Sequence, residues 1–373
     1  MTHEKRIRVL VVDDVASVRK AIGRIIKSAP GLELAGVAAD GWEALELLEQ
    51  LQPDVITLDV DMPGLDGLQT LDGILRLRPT PTLMVSSMTQ RAADITFQVL
   101  DRGALDYVAK PNTMEGGLED FAGELTRKLR LIAGADVNRI LQIRQRQAER
   151  AQRTIRKASI GASNEPHPYR DCCIALGIST GGPPALSTVF QSATPPLPPI
   201  VIVQHMPTHF TATLAARLDS ISDLHVKEAE TGDALLPDHV YVAAGGRHLR
   251  LRRRGQQVLV GYSNGEPVSS HKPSVDVMME DAARAYGSAC LGVIMTGMGR
   301  DGVAGCEAIR AAGGFVLGQD EATSVVYGMN KAAFIEGHVD MQFALESLPK
   351  LMSKHAPTTL RPANRASQGS PAI

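Results

Sequence analysis

The sequence predicts two α/β domains, each built on a parallel sheet and joined by a charged linker. Three observations carry this. Short apolar runs alternate with helix-periodic segments in two separate blocks, the pattern of strands covered by helices on both faces. The stretch between the blocks loses the apolar runs and gains charge. Reactive side chains collect where apolar runs end, the edge at which parallel sheets gather ligands. A length of 373 residues suits two domains.

The elements follow in order. Residues 7–12, Ile-Arg-Val-Leu-Val-Val, read as a buried strand, followed by a helix, a strand near 32–38 and a helix near 41–51. Further strands fall at 54–58, 82–86 and 105–108, with helical patterns between them, and the block ends near Leu131. Residues 132–170 read as a linker: from Arg139 to Lys157 there are seven basic residues and one acid, Glu149. A flexible Ser159–Pro168 segment closes it. In the second block, strands are expected at 172–178, 200–204, 240–244, 257–261, 290–296 and 314–318. Helices are expected at 184–191, 209–219, 275–287, 302–312 and 329–336. The last stretch, 354–373, is rich in Pro, Ser, Thr and Ala and reads as a disordered tail. The domains are therefore 6–131 and 171–353.

Composition excludes several classes. The chain is 44% hydrophobic and 21% charged, with a net charge of −2, so no global field draws it to nucleic acid or membrane. No apolar run has the length of a bilayer span, and the N-terminus lacks a signal-peptide core. Cys172, Cys173, Cys290 and Cys306 form no C-x-x-C pair and no disulfide framework. A reduced cytoplasmic protein is expected.

In the first block Asp13 and Asp14 end the first strand, Asp59 the third, Ser86 the fourth and Lys110 the fifth. Three carboxylates converging at one sheet edge repel each other unless a cation joins them. Mg²⁺, with its preference for oxygen ligands, suits the set. Lys110 adds a compact charge for a phosphoryl oxygen. Asp59 is then the candidate phosphoryl acceptor, and Ser86 a hydrogen-bonding partner of the product. Helix capping alone would account for Asp13 and Asp14, but not for Asp59, Ser86 and Lys110.

In the second block Gly177-Ile178-Ser179-Thr180-Gly181 follows an apolar run and precedes a helical pattern. A serine on such a strand-to-helix turn projects its hydroxyl at the sheet edge, and the next backbone N–H is placed for an oxyanion. A serine nucleophile needs a base and the base needs an orienting acid. His205 ends the strand at 200–204, and Asp301 lies in the Gly-rich loop after the strand at 290–294. His248, His271 and His338 also sit near turns, and spacing leaves them open. His205 and His209 are four apart, but Pro207 between them and the lack of an acidic ligand make a poor zinc pair. The loop at 297–302 lacks the Lys-Ser/Thr ending of a P-loop. The order Ser–His–Asp departs from the Ser–Asp–His of α/β-hydrolases.

Two resemblances extend this reading. The Asp13-Asp14 pair, Met62-Pro63-Gly64-Leu65-Asp66-Gly67 and Tyr107-Val108-Ala109-Lys110-Pro111 resemble the receiver domain of bacterial two-component response regulators, over residues 6–130. The resemblance implies a five-stranded flavodoxin-like sheet, Asp59 as phosphoacceptor and Asp13, Asp14 and Asp59 around Mg²⁺. It also implies Ser86 as switch hydroxyl, Tyr107 as the aromatic that tracks phosphorylation, and a histidine kinase as phosphodonor.

Residues 171–350 resemble the catalytic domain of chemotaxis protein-glutamate methylesterases. The resemblance lies in Gly177–Pro183, Gln204-His205-Met206-Pro207, Lys272-Pro273-Ser274-Val275-Asp276, Thr296–Gly302 and Gln319–Met329. It implies a doubly wound domain with Ser179 as nucleophile, His205 as base, Asp301 as orienting acid, and Thr180 and Met298 beside the oxyanion, without a cofactor. Methyl-accepting receptors are the implied substrates, and glutamine deamidation a second activity. Three departures are visible, at Lys272, at Ala244-Gly245-Gly246 and at Asn330; none falls on the triad. Competing expectations are an esterase of another receptor array and a non-catalytic scaffold. A DNA-binding output is disfavoured, because the second block lacks a compact basic helix-turn-helix.

Overall fold

The computed structural model describes residues 6–87, 90–111, 117–138, 140–142, 169 and 171–356. Most of the expected linker and the expected tail beyond residue 356 lie outside the described residues. The first domain contains β1 (Ile7–Val12), α1 (Ala16–Ser28), β2 (Leu32–Ala38), α2 (Gly41–Leu51) and β3 (Val55–Asp59). It continues through α3 (Gly67–Leu77), β4 (Thr82–Ser86), α4 (Gln90–Arg102), β5 (Asp106–Ala109) and α5 (Leu118–Ile132). All pairings are parallel, in the order β2-β1-β3-β4-β5. β3 and β4 are buried at every position, as continuous apolar runs require in a sheet covered on both faces. Side chains set the helix starts: Asp40 accepts from the Glu43 N–H, and Asp66 and Gln69 form a reciprocal capping box. The strand order reverses between β1 and β3, so the ends carrying Asp13 and Asp59 face one crevice.

The second domain begins with β6 (Cys173–Ile178), α6 (Gly182–Phe190), β7 (Ile200–Gln204), α7 (Thr208–Ile221), β8 (His225–Glu228) and β9 (His239–Val242). Then come β10 (His248–Arg254), β11 (Gln257–Ser263), α8 (Val275–Tyr286), β12 (Cys290–Ile294), α9 (Val303–Ala311) and β13 (Phe315–Gln319). The last elements are α10 (Met329–Ile335), β14 (Met341–Phe343) and α11 (Leu348–His355). Seven strands pair in parallel in the order β14-β13-β12-β6-β7-β9-β8. The winding reverses beside β6, which places the turn after that strand between the ends of β7 and β12.

One strand expectation is corrected in its setting. The run at 257–261 is no part of the parallel sheet; it forms an antiparallel hairpin with β10 that packs along α8. β10, His-Leu-Arg-Leu-Arg-Arg-Arg, is absent from the expected strands, and arginines dominate its composition. Its alternation buries Leu249 and Leu251 and sends Arg252 and Arg254 outward. The four cysteines are buried, with Cys173 and Cys290 directly paired across β6 and β12. Burial pushes the Cys172 and Cys290 thiols up to about 12, which leaves them unreactive.

The two domains meet through aromatic packing. Tyr107 of β5 stacks on Phe210 of α7, ring centroids 4.6 Å apart, and Phe97 of α4 meets the same ring edge-on at 6.3 Å. All three are buried. Arg217 of α7 pairs with Asp101 of α4 beside them. Among the described residues, no helix is long and apolar enough to cross a membrane.

Candidate functional site

In the first domain Lys110 Nζ bridges two carboxylates, 2.7 Å from Asp59 Oδ2 and 2.8 Å from Asp13 Oδ2. Among the described residues, Asp59 Oδ1 accepts only the Val60 N–H, at 2.8 Å. Burial raises the Asp59 carboxyl above its ordinary range; Lys110 opposes this and Asp13 adds to it. Among the described residues, the buried Asp13 Oδ2 lacks a well-directed hydrogen-bond donor despite its ion-pair contact. Ligand oxygens of Asp13, Asp14 and Asp59 all lie within 4.8 Å of one another. An all-oxygen set short of donors fits a hard divalent cation. Ser86 is fully buried at the end of β4, and its hydroxyl accepts from Thr96 Oγ1 at 3.0 Å. Tyr107 lies between the Lys128 ammonium, 5.1 Å from its ring centre, and Phe210. Its hydroxyl is buried without a partner among the described residues.

In the second domain the turn after β6 is fixed from both sides. The Ser179 N–H donates to Thr296 O at 3.0 Å, and Gln204 Nε2 donates to Ser179 O at 3.1 Å. Gly181 takes φ +78°, a left-handed conformation that starts α6 without a Cβ penalty. A Cβ on Gly297 would lie 2.7 Å from the Ser179 Cβ, so the loop after β12 can close on the serine only through glycine. His205 stands one residue beyond the Ile178–Gln204 pairing of β6 and β7, its N–H on Ile178 O at 3.2 Å. The sheet therefore places Ser179 and His205 side by side. The N–H groups of Thr180 and Met298 donate to no acceptor among the described residues.

Asp301 is fully buried, and His205 Nε2 lies 2.7 Å from its Oδ2. Ser274 Oγ donates to its Oδ1 at 2.7 Å, and the Val275 and Asp276 N–H groups donate at 2.7 and 3.1 Å. Asp301 thus sits on the N-terminus of α8, where aligned peptide dipoles favour a carboxylate. Burial alone would raise its carboxyl; the donors, His205 first, outweigh that and bring it down to about 2. A carboxylate acceptor fixes the proton of neutral His205 on Nε2. Nδ1, buried and without a partner among the described residues, is left with a free lone pair. The ring is used in the opposite sense to the serine-protease triad, where Nδ1 faces the acid. Ser179 Oγ makes no hydrogen bond to His205 in this structure.

Sequence reasoning missed the groups that hold this arrangement. Asp276 is 6% exposed and its Oδ1 accepts the Gly302 and Gly305 N–H groups at 2.8 Å, at the start of α9. The carboxylate that precedes α9 caps α8, and the carboxylate that begins α8 caps α9. This reciprocal clasp ties the two helices together beneath His205. Burial pushes the Asp276 carboxyl up to about 6, with Asp301 adding to the rise. His248, one of the open histidines, accepts the Ser274 N–H on Nδ1 at 3.2 Å and so supports the residue that donates to Asp301. His271 stacks on His205. His209 lies exposed on α7, and His338 ends the turn after α10. Asn330, one of the departures, is buried and donates to Gln319 O and Ser324 Oγ, both at 2.8 Å. The sequence signal that held the clasp was Lys272–Asp276, a serine N-cap followed by an acid in the first turn.

The first domain reaches this site. Arg127 of α5 donates to Met298 Sδ at 3.2 Å, on the loop between Gly297 and Asp301. Beside the serine turn lies a cavity of about 320 Å³, lined by Asp136 and Ile140 from one side and Pro184, Thr296 and Val325 from the other.

Comparison with known proteins bears on both domains. The sequence model of the CheB methylesterase family matches residues 174–352, and that of the response regulator receiver domain matches residues 9–120. A protein-glutamate methylesterase/protein-glutamine glutaminase from Geobacter metallireducens is 43% identical over 350 residues, 92% of this chain and 94% of the relative. One from Nitrosomonas europaea is 41% identical over 93% of this chain and 95% of its own length. The crystal structure of the Thermotoga maritima CheB methylesterase catalytic domain is 38% identical, covers 49% of this chain and 97% of that domain, and has a TM-score of 0.48. The chain belongs to the protein-glutamate methylesterase/protein-glutamine glutaminase family, hydrolases that carry a response-regulator receiver domain ahead of a CheB methylesterase domain.

Proposed function

We propose that this enzyme hydrolyses glutamate methyl esters, and deamidates glutamines, on methyl-accepting chemotaxis receptors, and that phosphorylation of its receiver releases the activity. The carrying observation is the His205–Asp301 pair: Nε2 is held at 2.7 Å by a carboxylate brought down to about 2, Nδ1 is buried and unpartnered among the described residues, and the β6–β7 register puts the His205 backbone next to the Ser179 turn. Ser179 Oγ attacks the ester carbonyl carbon while its proton passes to His205 Nδ1. Asp301 stabilises the imidazolium through Nε2. The unspent N–H groups of Thr180 and Met298 are the donors available to the developing oxyanion. The carbon–methoxy bond breaks and the Nδ1 proton leaves with methanol. Water then gives a proton to Nδ1 and attacks the acyl carbon; the acyl–Oγ bond breaks and Oγ recovers a proton. With glutamine, ammonia leaves in place of methanol.

In the receiver, residues 6–131 in this reading, Asp59 takes the phosphoryl group from a histidine kinase. Asp13, Asp14 and Asp59 would hold Mg²⁺, which supplies charge to offset the phosphoryl oxygens. Lys110 pairs with one of those oxygens, and Ser86 exchanges its Thr96 contact for another. Moving Ser86 and Tyr107 disturbs the stack on Phe210, and withdrawing α5 takes Arg127 off the Met298 loop. The enzyme acts in the cytoplasm, on the receptors' cytoplasmic helices, through residues 171–353.

Trapping tests the chemistry. The protein is mixed with a methylated receptor fragment, quenched in acid and digested. The expected result is a glutamyl adduct on the peptide that contains Ser179. An adduct on another residue, with Ser179→Ala still releasing methanol, would contradict the assignment.

A further inference from the structure

The segment before α8 carries strain that the triad does not explain. Val268 and His271 exchange both backbone hydrogen bonds, at 3.1 and 2.9 Å, across Ser269 and Ser270. Those serines have φ of 49° and 64°. A two-residue turn with both central residues left-handed favours glycine and asparagine, and serine there is costly. Such conformations persist where the surroundings over-determine them, and they cluster at functional sites.

The turn delivers one side chain. The His271 ring lies on the His205 ring with centroids 3.7 Å apart and planes 9° from parallel. Its Nδ1 is 2.7 Å from Ser269 O, which places the proton of the neutral ring on Nδ1 and fixes its orientation. Burial first, then His205, hold His271 down to about 4; the charged groups facing it are Asp301 and Arg127 of the receiver. At neutral pH the ring is therefore uncharged. Nitrogens of His205 and His271 and an oxygen of Asp301 lie within 4.8 Å of one another, a spacing open to a metal ion. Parallel planes, however, keep the in-plane lone pairs of the two rings from converging, and hydrogen-bond donors already occupy both Asp301 oxygens.

We propose that His271 is a positioning residue for the hydrolysis. Its neutral ring lies flat on His205, holds that imidazole in the plane joining Asp301 to Ser179, and offers its π face to the imidazolium formed when His205 takes the serine proton. A cation is attracted to an aromatic face, more strongly where water is excluded. Because His205 is charged only after proton transfer, the attraction acts on the transition state and not on the bound ester. The inference rests on the triad reading given above.

The test uses the full-length, phosphodonor-treated protein and methylated receptor fragments, with kcat and KM read separately. His271→Ala is expected to lower kcat about tenfold with KM unchanged. His271→Phe keeps a flat neutral face and is expected to recover most of that loss. His271→Arg is expected to fall below alanine, because its charge faces the imidazolium. Phenylalanine no better than alanine, with both proteins melting like wild type, would overturn the inference. A loss carried by KM would do the same. Should the alanine protein unfold, phenylalanine against arginine decides, and equal turnover in the two overturns it. Ser179→Ala is run alongside: if it still releases methanol the triad reading has failed, whereas an inert Ser179→Ala beside a fully active His271→Ala defeats only this inference.

Discussion

Asp59 ends β3 and Asp301 lies in the loop after β12, each at the sheet edge where its domain's winding reverses, yet their environments push them in opposite directions. Asp59 receives one backbone N–H and a lysine shared with Asp13, and burial raises its carboxyl. Asp301 receives a helix N-terminus, a serine hydroxyl and an imidazole, and is brought down to about 2. The difference lies in the count of donors. A carboxylate left short of donors keeps lone pairs for a cation and for a bond to phosphorus. A carboxylate saturated with donors stays ionised and rigid, as an orienting acid must. The same sheet edge thus carries two chemistries, and the hydrogen bonds around each acid select between them.

The predictions probe that contrast, from the largest effect down. Asp301→Asn should cost roughly 10⁴-fold in kcat, because an amide no longer fixes the His205 proton on Nε2; methanol release from receptor fragments measures it, and a loss under tenfold would put the orienting acid elsewhere. Asp59→Asn should abolish the response to a small phosphodonor, read as the ratio of stimulated to unstimulated turnover; an undiminished ratio would detach the receiver from the enzyme. Arg127→Ala should raise kcat/KM of the unphosphorylated protein several-fold, on the order of 1 kcal/mol of released contact. No change would remove Arg127 from the gate.

The smallest effect is one of stability. Asp276 titrates higher folded than unfolded, so its protonated form favours the fold: that contribution is complete below about pH 4 and is lost as pH rises through about 6. Asp301 has the opposite sign, its contribution present above about pH 4 and lost as pH falls through about 2. Asp276→Asn keeps an acceptor for the Gly302 and Gly305 N–H groups and removes the charge facing Asp301. It should raise the melting temperature at pH 7 by a few degrees, about 1 kcal/mol, and flatten stability between pH 4 and 6. A lower melting temperature at pH 7 would mean that the ionised clasp itself stabilises the fold.

Much of this was legible in the residues. Parallel strands such as β3 and β7 announce themselves as apolar runs, because both faces are covered. The strand-end residues Asp13, Asp59, Ser179 and His205 could be placed because each run stops just before or at them. The helpers could not be. Asp276 and Asp301 are 25 residues apart and cap each other's helices, a relation that exists only once α8 and α9 are packed. His271 stacks on His205 from a turn of two left-handed serines, where the sequence offers no glycine or asparagine to mark it. β10 was hidden for another reason: its arginines dominate the composition, while the two leucines that anchor it carry the burial.

The most direct test of the central claim is methanol release from methylated receptor fragments by the wild-type protein, Ser179→Ala and Asp59→Asn, each with and without phosphodonor and Mg²⁺. The account predicts release by the wild type that rises with phosphodonor, no release by Ser179→Ala, and no phosphodonor response in Asp59→Asn. Release by Ser179→Ala, or equal stimulation of Asp59→Asn, would contradict it.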